Sequence, residues 1–63
     1  MAFVDLVDAM IAESRAYIDR LQEYAEDPSL SRQQRHAIRE VTHTEGLRLD
    51  MLQRVLSEWQ GGS

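Results

Sequence analysis

A chain of 63 residues with 43% apolar and 29% charged side chains is one folding unit at most, too apolar for a disordered segment. A chain this short hides only about 60% of its unfolded surface. It has no cysteine for a disulfide framework or thiolate zinc site, and seven cations, all arginine, against eleven acids leave a net charge of −4, the wrong sign for a general nucleic-acid binder.

From the N-terminus, Phe3, Val7, Met10, Tyr17, Leu21 and Tyr24 recur at alternating spacings of four and three, with Ser14 in the one polar gap. That is the signature of a helical seam. A neighbouring stripe, Val4, Ile11, Ile18 and Ala25, repeats every seven residues and widens the apolar sector to roughly 160°. No glycine or proline falls between residues 2 and 27, so the pattern predicts a helix over about 3–26, roughly 36 Å long. Asp27-Pro28 ends it, because proline disfavours a helical conformation in the residue before it.

Residues 27–30 form the predicted turn, and a second helix is expected over about 31–59. Ser31 and Gln34 have the spacing of a capping box, and Leu30 stands where a hydrophobic staple would. Ile38, Val41, Glu45, Leu49, Leu52, Leu56 and Trp59 then continue the seam, flanked by Ala37, Met51 and Val55. Gly46 costs about 1 kcal/mol relative to alanine, yet the apolar rhythm resumes beyond it. Residues 61–63, Gly-Gly-Ser, are expected to form a flexible tail.

A connection this short between long helices predicts an all-α antiparallel hairpin, a single domain over residues 1–60. Glu23, Glu26 and Asp27 close the first helix and Arg32, Arg35 and Arg39 open the second, each on the side its own helix dipole disfavours. Folding back is expected to pair them across the turn. Two helices cannot enclose all of this apolar surface, so the reading is a hairpin that dimerises into a four-helix bundle or docks on a larger protein. On the first helix the expected contact residues are Val4, Val7, Ile11 and Ile18. On the second they are Ala37, Glu45, Met51, Val55 and Trp59.

Candidate chemistry is sparse. Glu40-Val41-Thr42-His43 has the Glu-x-x-His spacing that puts two ligands on successive turns, and it resembles half of a ferritin-like carboxylate metal site. That resemblance implies a bundle in which Glu13 supplies a further carboxylate beside Glu40 and His43. The phase of the second helix, at 100° per residue, instead turns Glu40 and His43 toward solvent and leaves Glu45 as the carboxylate on the inner seam. His36, His43 and Asp50, spaced by sevens, line the outer face; histidines two turns apart are about 10 Å apart along the axis and cannot share one ion. No serine, histidine and acid combination reads as a triad and no glycine-rich phosphate loop is present, so neither enzymatic activity nor a cofactor is expected.

Glu45 is the most informative polar position, because a seam carboxylate needs a cation or donors. Arg15, Arg20 and Arg48 are its candidate partners, and it is a candidate for setting register or partner choice. Arg32, Gln33, Gln34, Arg35, His36 and Arg39 form a basic patch that could meet phosphate or an acidic surface. Cross-turn pairing is the simpler reading of it. Asp5, Asp8, Asp19 and Glu23 form an acidic outer face suited to steering a basic partner, and Trp59 reads as a bundle-end anchor or a contact hot spot. The unbroken apolar runs, residues 1–4 and 9–12, are far below the roughly 20 residues that span a bilayer. Asp5 and Asp8 interrupt the N-terminal stretch, so no secretory signal is expected and the expected location is cytoplasmic. The resulting functional expectation is a non-enzymatic interaction or assembly module, its partner itself or a larger protein. The alternatives are the ferritin-like half-bundle and the dimerisation hairpin of a transcription regulator, which two long helices also resemble.

Overall fold

In the computed structural model, which describes residues 2–61, two helices pack side by side: α1, Phe3–Ala25, and α2, Arg32–Gly61. α1 opens after an extended Ala2 that offers no side-chain cap, and Asp5 supplies the negative charge its first turn favours. Its end tightens as the N–H groups of Glu26 and Asp27 donate to the carbonyls of Glu23 and Tyr24, each at 3.2 Å. Glycine is not needed here.

Asp27 organises the turn that follows. Its Oδ1 accepts the Ser29 N–H at 2.9 Å and the Ser29 hydroxyl at 2.8 Å, an arrangement that lets an aspartate side chain replace a missing backbone bond. The Leu30 N–H donates to the Asp27 carbonyl at 3.3 Å. These donors, the Ser29 N–H first and its hydroxyl second, with the Arg35 charge adding to them, hold the Asp27 carboxyl below its ordinary 3.8. Ser31 then caps α2 reciprocally. Its Oγ accepts the Gln34 N–H at 3.1 Å, while Gln34 Oε1 accepts the Ser31 N–H at 2.9 Å. The helix runs on through Gly61, past the stop expected near Trp59, since a glycine in a last turn costs about 1 kcal/mol and does not forbid helix. Gly62 and Ser63, the rest of the expected tail, lie outside the described residues.

Two elements of the expected packing change. The seam of α1 that faces α2 is Val4, Val7, Ile11, Ser14, Ile18, Leu21 and Ala25: every one of these is buried or half-buried, while Phe3, Tyr17 and Tyr24 are exposed. The row expected to flank the seam therefore forms it, and the aromatic row lies outside. On α2 the inner line is Ile38, Thr42, Glu45, Leu49, Leu52 and Leu56, with Val41 53% exposed. Thr42 takes the inner place because its hydroxyl donates to the Ile38 carbonyl at 2.7 Å, which lets it face a partly dry seam.

Ion pairing across the turn also differs from expectation. Among the described residues the ion pairs are His36–Glu40, Arg48–Glu45 and Arg54–Asp50, all within α2. Arg35 reaches over the turn, at 3.5 Å to the Asp27 carbonyl. Exposed ion pairs are worth only about 0–1 kcal/mol, so the turn chemistry and the apolar register set the antiparallel direction instead.

The core is small and off-centre. Val7, Ile11 and Leu52 are its buried members, with Met10, Leu49 and Leu56 packed around them. They occupy the half of the hairpin away from the turn. At mid-length the core gives way to a polar contact: Ser14, fully buried, donates its hydroxyl to Glu45 Oε1 at 2.8 Å.

Candidate interaction face

Each helix carries a second row beside its inner seam. On α1 it runs Phe3, Leu6, Met10, Glu13, Tyr17, Arg20 and Tyr24. On α2 it runs Ala37, Val41, Thr44, Arg48, Met51 and Val55, with Trp59 beyond. Both rows use the three-four spacing of a helical seam. They are displaced from the inner seam in the same rotational sense, and in two antiparallel right-handed helices this puts them on one side of the hairpin.

Contacts at both ends of the hairpin confirm that shared side. Near the free ends, the rings of Phe3 and Trp59 meet with centroids 4.6 Å apart and planes tilted by 47°. Toward the turn, Tyr17, Arg20, Leu21 and Tyr24 from α1 join Val41 and Glu45 from α2 to line a groove of about 330 Å³. Tyr24 is 68% exposed and Trp59 60%, and Phe3, Leu6, Tyr17, Val41 and Met51 are also exposed. The apolar groups of these rows are interrupted by Glu13 and Arg20 on α1 and by Thr44 and Arg48 on α2.

The expected contact residues divide between this face and the inner seam. Ala37, Met51, Val55 and Trp59 belong to the open face. Val7 and Ile11, expected at a partner contact, are instead buried in the hairpin's own core, and Val4 and Ile18 are half-buried along the inner seam. The exposed apolar residues of the open face are instead Phe3, Leu6, Tyr17, Tyr24 and Val41, with Met10 half-buried against the core.

Glu45 joins the two surfaces. Its side chain keeps 16% of its area in solvent and accepts from Arg48 Nη1 at 3.3 Å as well as from Ser14. Arg48, not Arg15 or Arg20, is thus its cation. Because Arg48 belongs to the outer row, the polar layer starts in the core and ends on the open face.

The other candidate groups stand apart. Among the described residues no three histidines or acids are close enough to hold a metal ion. Glu40 pairs with His36 at 3.0 Å on the exposed side of α2, and Glu13 and His43 are both exposed. The basic head of α2 lines an open concavity of about 770 Å³ with Leu30, Arg32, Gln33, Arg35, His36 and Arg39. Its walls are the side chains of the first turns of α2 and of Leu30 in the turn, with three arginines among them. Asp5, Asp8, Asp19 and Glu23 are exposed, as expected of a solvated face. No helix is long and apolar enough to cross a membrane among the described residues.

The dimensions are those of a rod. The hairpin extends 50 × 17 × 12 Å with a Cα radius of gyration of 14.8 Å, where a compact chain of this length would have about 10.6 Å. It exposes 5009 Å², whereas a folded monomer of 7.3 kDa would expose about 4,200 Å². The excess of about 800 Å² is what an elongated pair of helices exposes beyond a compact fold of equal mass. Compared with family models, curated proteins and solved structures, the chain matches none.

Proposed function

We propose that this protein is a non-enzymatic assembly module: two hairpins bury their open faces against each other and form a four-helix bundle. One observation carries the reading, namely that the open rows of both helices lie on one side and present an aromatic and aliphatic surface from Phe3 and Trp59 to Tyr24 and Val41. A buried core of Val7, Ile11 and Leu52 is small for a domain of this length. Covering the second face adds a second core layer, which is how helical hairpins reach stability.

Sedimentation equilibrium on the untagged chain, with and without added divalent metal, tests this. The expected result is a dimer at micromolar concentration, unaffected by metal, with Val41→Glu shifting it toward monomer at least tenfold in dissociation constant. A cooperative, folded monomer at micromolar concentration refutes the proposal. Metal-dependent association favours the carboxylate-site alternative instead.

A further inference from the structure

We infer that the arginine cluster at the head of α2 binds a compact phosphorylated molecule, through one phosphate group or two adjoining ones. This stands apart from the assembly proposed above. Turning about α2 at about 100° per residue, Arg35 and Arg39 fall on the opposite side of Ile38 from Ala37 and Val41. The cluster and the open face therefore lie on different flanks of the hairpin.

The fold leaves these cations without counter-charge. Pairing with Glu23, Glu26 and Asp27 across the turn is the simplest use for Arg32, Arg35 and Arg39, and the structure does not form those pairs. Among the described residues none of the three arginines is in an ion pair. Arg35 is half-buried and reaches a carbonyl, that of Asp27 at 3.5 Å, while Arg32 and Arg39 are exposed. The first turn of α2 carries no acid, so three positive charges sit toward the end of the helix whose dipole disfavours them. Departures of this kind from local electrostatic preference are expected at functional sites. An anion would relieve the repulsion.

Shape and extent select the kind of anion. The three arginines line one concavity with Leu30, Gln33 and His36, and no acid is among its walls. Arginine forks hold phosphate through paired N–H donors. Arg32 and Arg39 are about 10 Å apart along the axis, a span that lets their long arms converge on a small ligand between them. The basic ground is also short. Residues 28–39 contain no acid, but Asp27 bounds them at one end and Glu40 at the other, so an extended polyanion would run onto carboxylates in both directions. The net charge of −4 opposes such a partner as well. A compact anion escapes most of that repulsion, since at physiological salt exposed charges more than about 8 Å away are largely screened. Binding runs through side chains and not through the helix terminus itself, because the Gln34 N–H already donates to Ser31 Oγ and the Ser31 N–H to Gln34 Oε1.

Titration of the isotope-labelled full chain with pyrophosphate, at constant ionic strength and followed by amide NMR shifts, tests this. The expected result is a saturable change over residues 32–39 with a midpoint in the millimolar range. Arg32→Gln and Arg39→Gln should each weaken binding about threefold. Arg54→Gln, which removes an arginine paired with Asp50 at 3.4 Å and lying about 22 Å further along α2 than Arg39, should leave it unchanged. Circular dichroism checks that the helices persist, as they should when a charge opposing the dipole is removed. No saturable change at millimolar pyrophosphate overturns the inference, and so does equal weakening by Arg54→Gln, which would mark a general charge effect. A short single-stranded oligonucleotide or oligoglutamate saturating the same residues at lower concentration than pyrophosphate overturns the assignment to a compact ligand. Oligomeric state by sedimentation bears on the assembly proposal alone.

Discussion

Removing the Ser14 hydroxyl tests how the middle of the hairpin is held. Ser14 is fully buried and donates at 2.8 Å to Glu45, whose other protein donor is Arg48 at 3.3 Å. A hydrogen bond to a charged group contributes about 1.5–3 kcal/mol. The figure is discounted here because Glu45 keeps its arginine and 16% of its side-chain surface in solvent, which leaves about 1–2 kcal/mol for Ser14→Ala. For a domain of this size that lowers the melting temperature by roughly 8–15 °C. The opposite single change should behave differently. In Glu45→Leu the carboxylate is gone, and the orphaned Ser14 hydroxyl can turn back to a carbonyl of its own helix, as buried serines do. Added apolar area should then leave Glu45→Leu at or above the parent stability.

The double variant Ser14→Ala with Glu45→Leu closes the cycle. Replacing both partners of a buried polar contact by apolar groups is commonly neutral or stabilising, so the double variant should recover the loss seen in Ser14→Ala. The assay is denaturant unfolding followed by circular dichroism, with all four chains at one concentration because association contributes to apparent stability. The register claim has its own readout: Glu45→Leu and the double variant should show broadened or multiple species in sedimentation. If Ser14→Ala lies within about 0.5 kcal/mol of the parent, the contact contributes little. A double variant as unstable as the sum of the singles removes the coupling argument, and unchanged assembly on loss of Glu45 removes its role in specifying partners.

Two further predictions concern local chemistry. Gly46 is helical with negative φ, and a Cβ built there meets nothing within 4 Å, so Gly46→Ala should raise stability by about 1 kcal/mol in denaturant titrations without changing oligomeric state. Because the Asp27 carboxyl is held below 3.8 when folded, its contribution is fully present above that value and is lost as pH falls through the lower folded value. Thermal melts between pH 5 and 2 should therefore show an acid-side loss of stability that shrinks in Asp27→Asn; an identical pH profile in that variant contradicts the assignment.

The hairpin, its turn and the reciprocal cap at Ser31 and Gln34 are legible in the sequence because each depends on residues within a few positions of one another. The phase of the core is not, and the reason lies in particular residues. α1 offers two rows that both satisfy a helical seam, one running Phe3, Met10, Tyr17 and Tyr24 and the other Val4, Ile11, Ile18 and Ala25. Periodicity treats them alike. Side-chain volume separates them: the smaller and β-branched row lets the helices approach closely, while the three aromatics take the outer side, where two tyrosine hydroxyls can stay in contact with water. The same consideration moves Val41 outward and Thr42 inward on α2, where a threonine can satisfy its hydroxyl within its own helix.

The polar residues were better guides to phase than the apolar ones. Ser14 is common to both possible inner seams and has its partner on the other helix at Glu45, so a serine and a glutamate that each interrupt an apolar rhythm mark the level at which the helices touch. From that level the placement of Glu13 and Arg48 follows, and with it the charge pattern of the open face. The core interruption at Ser14 and Glu45 and the outer-row charges at Glu13 and Arg48 thus fall at one height, because Ser14 is next in sequence to Glu13 and Glu45 is one turn from Arg48, so a single level of the hairpin carries its polar groups on both the inner and the outer row.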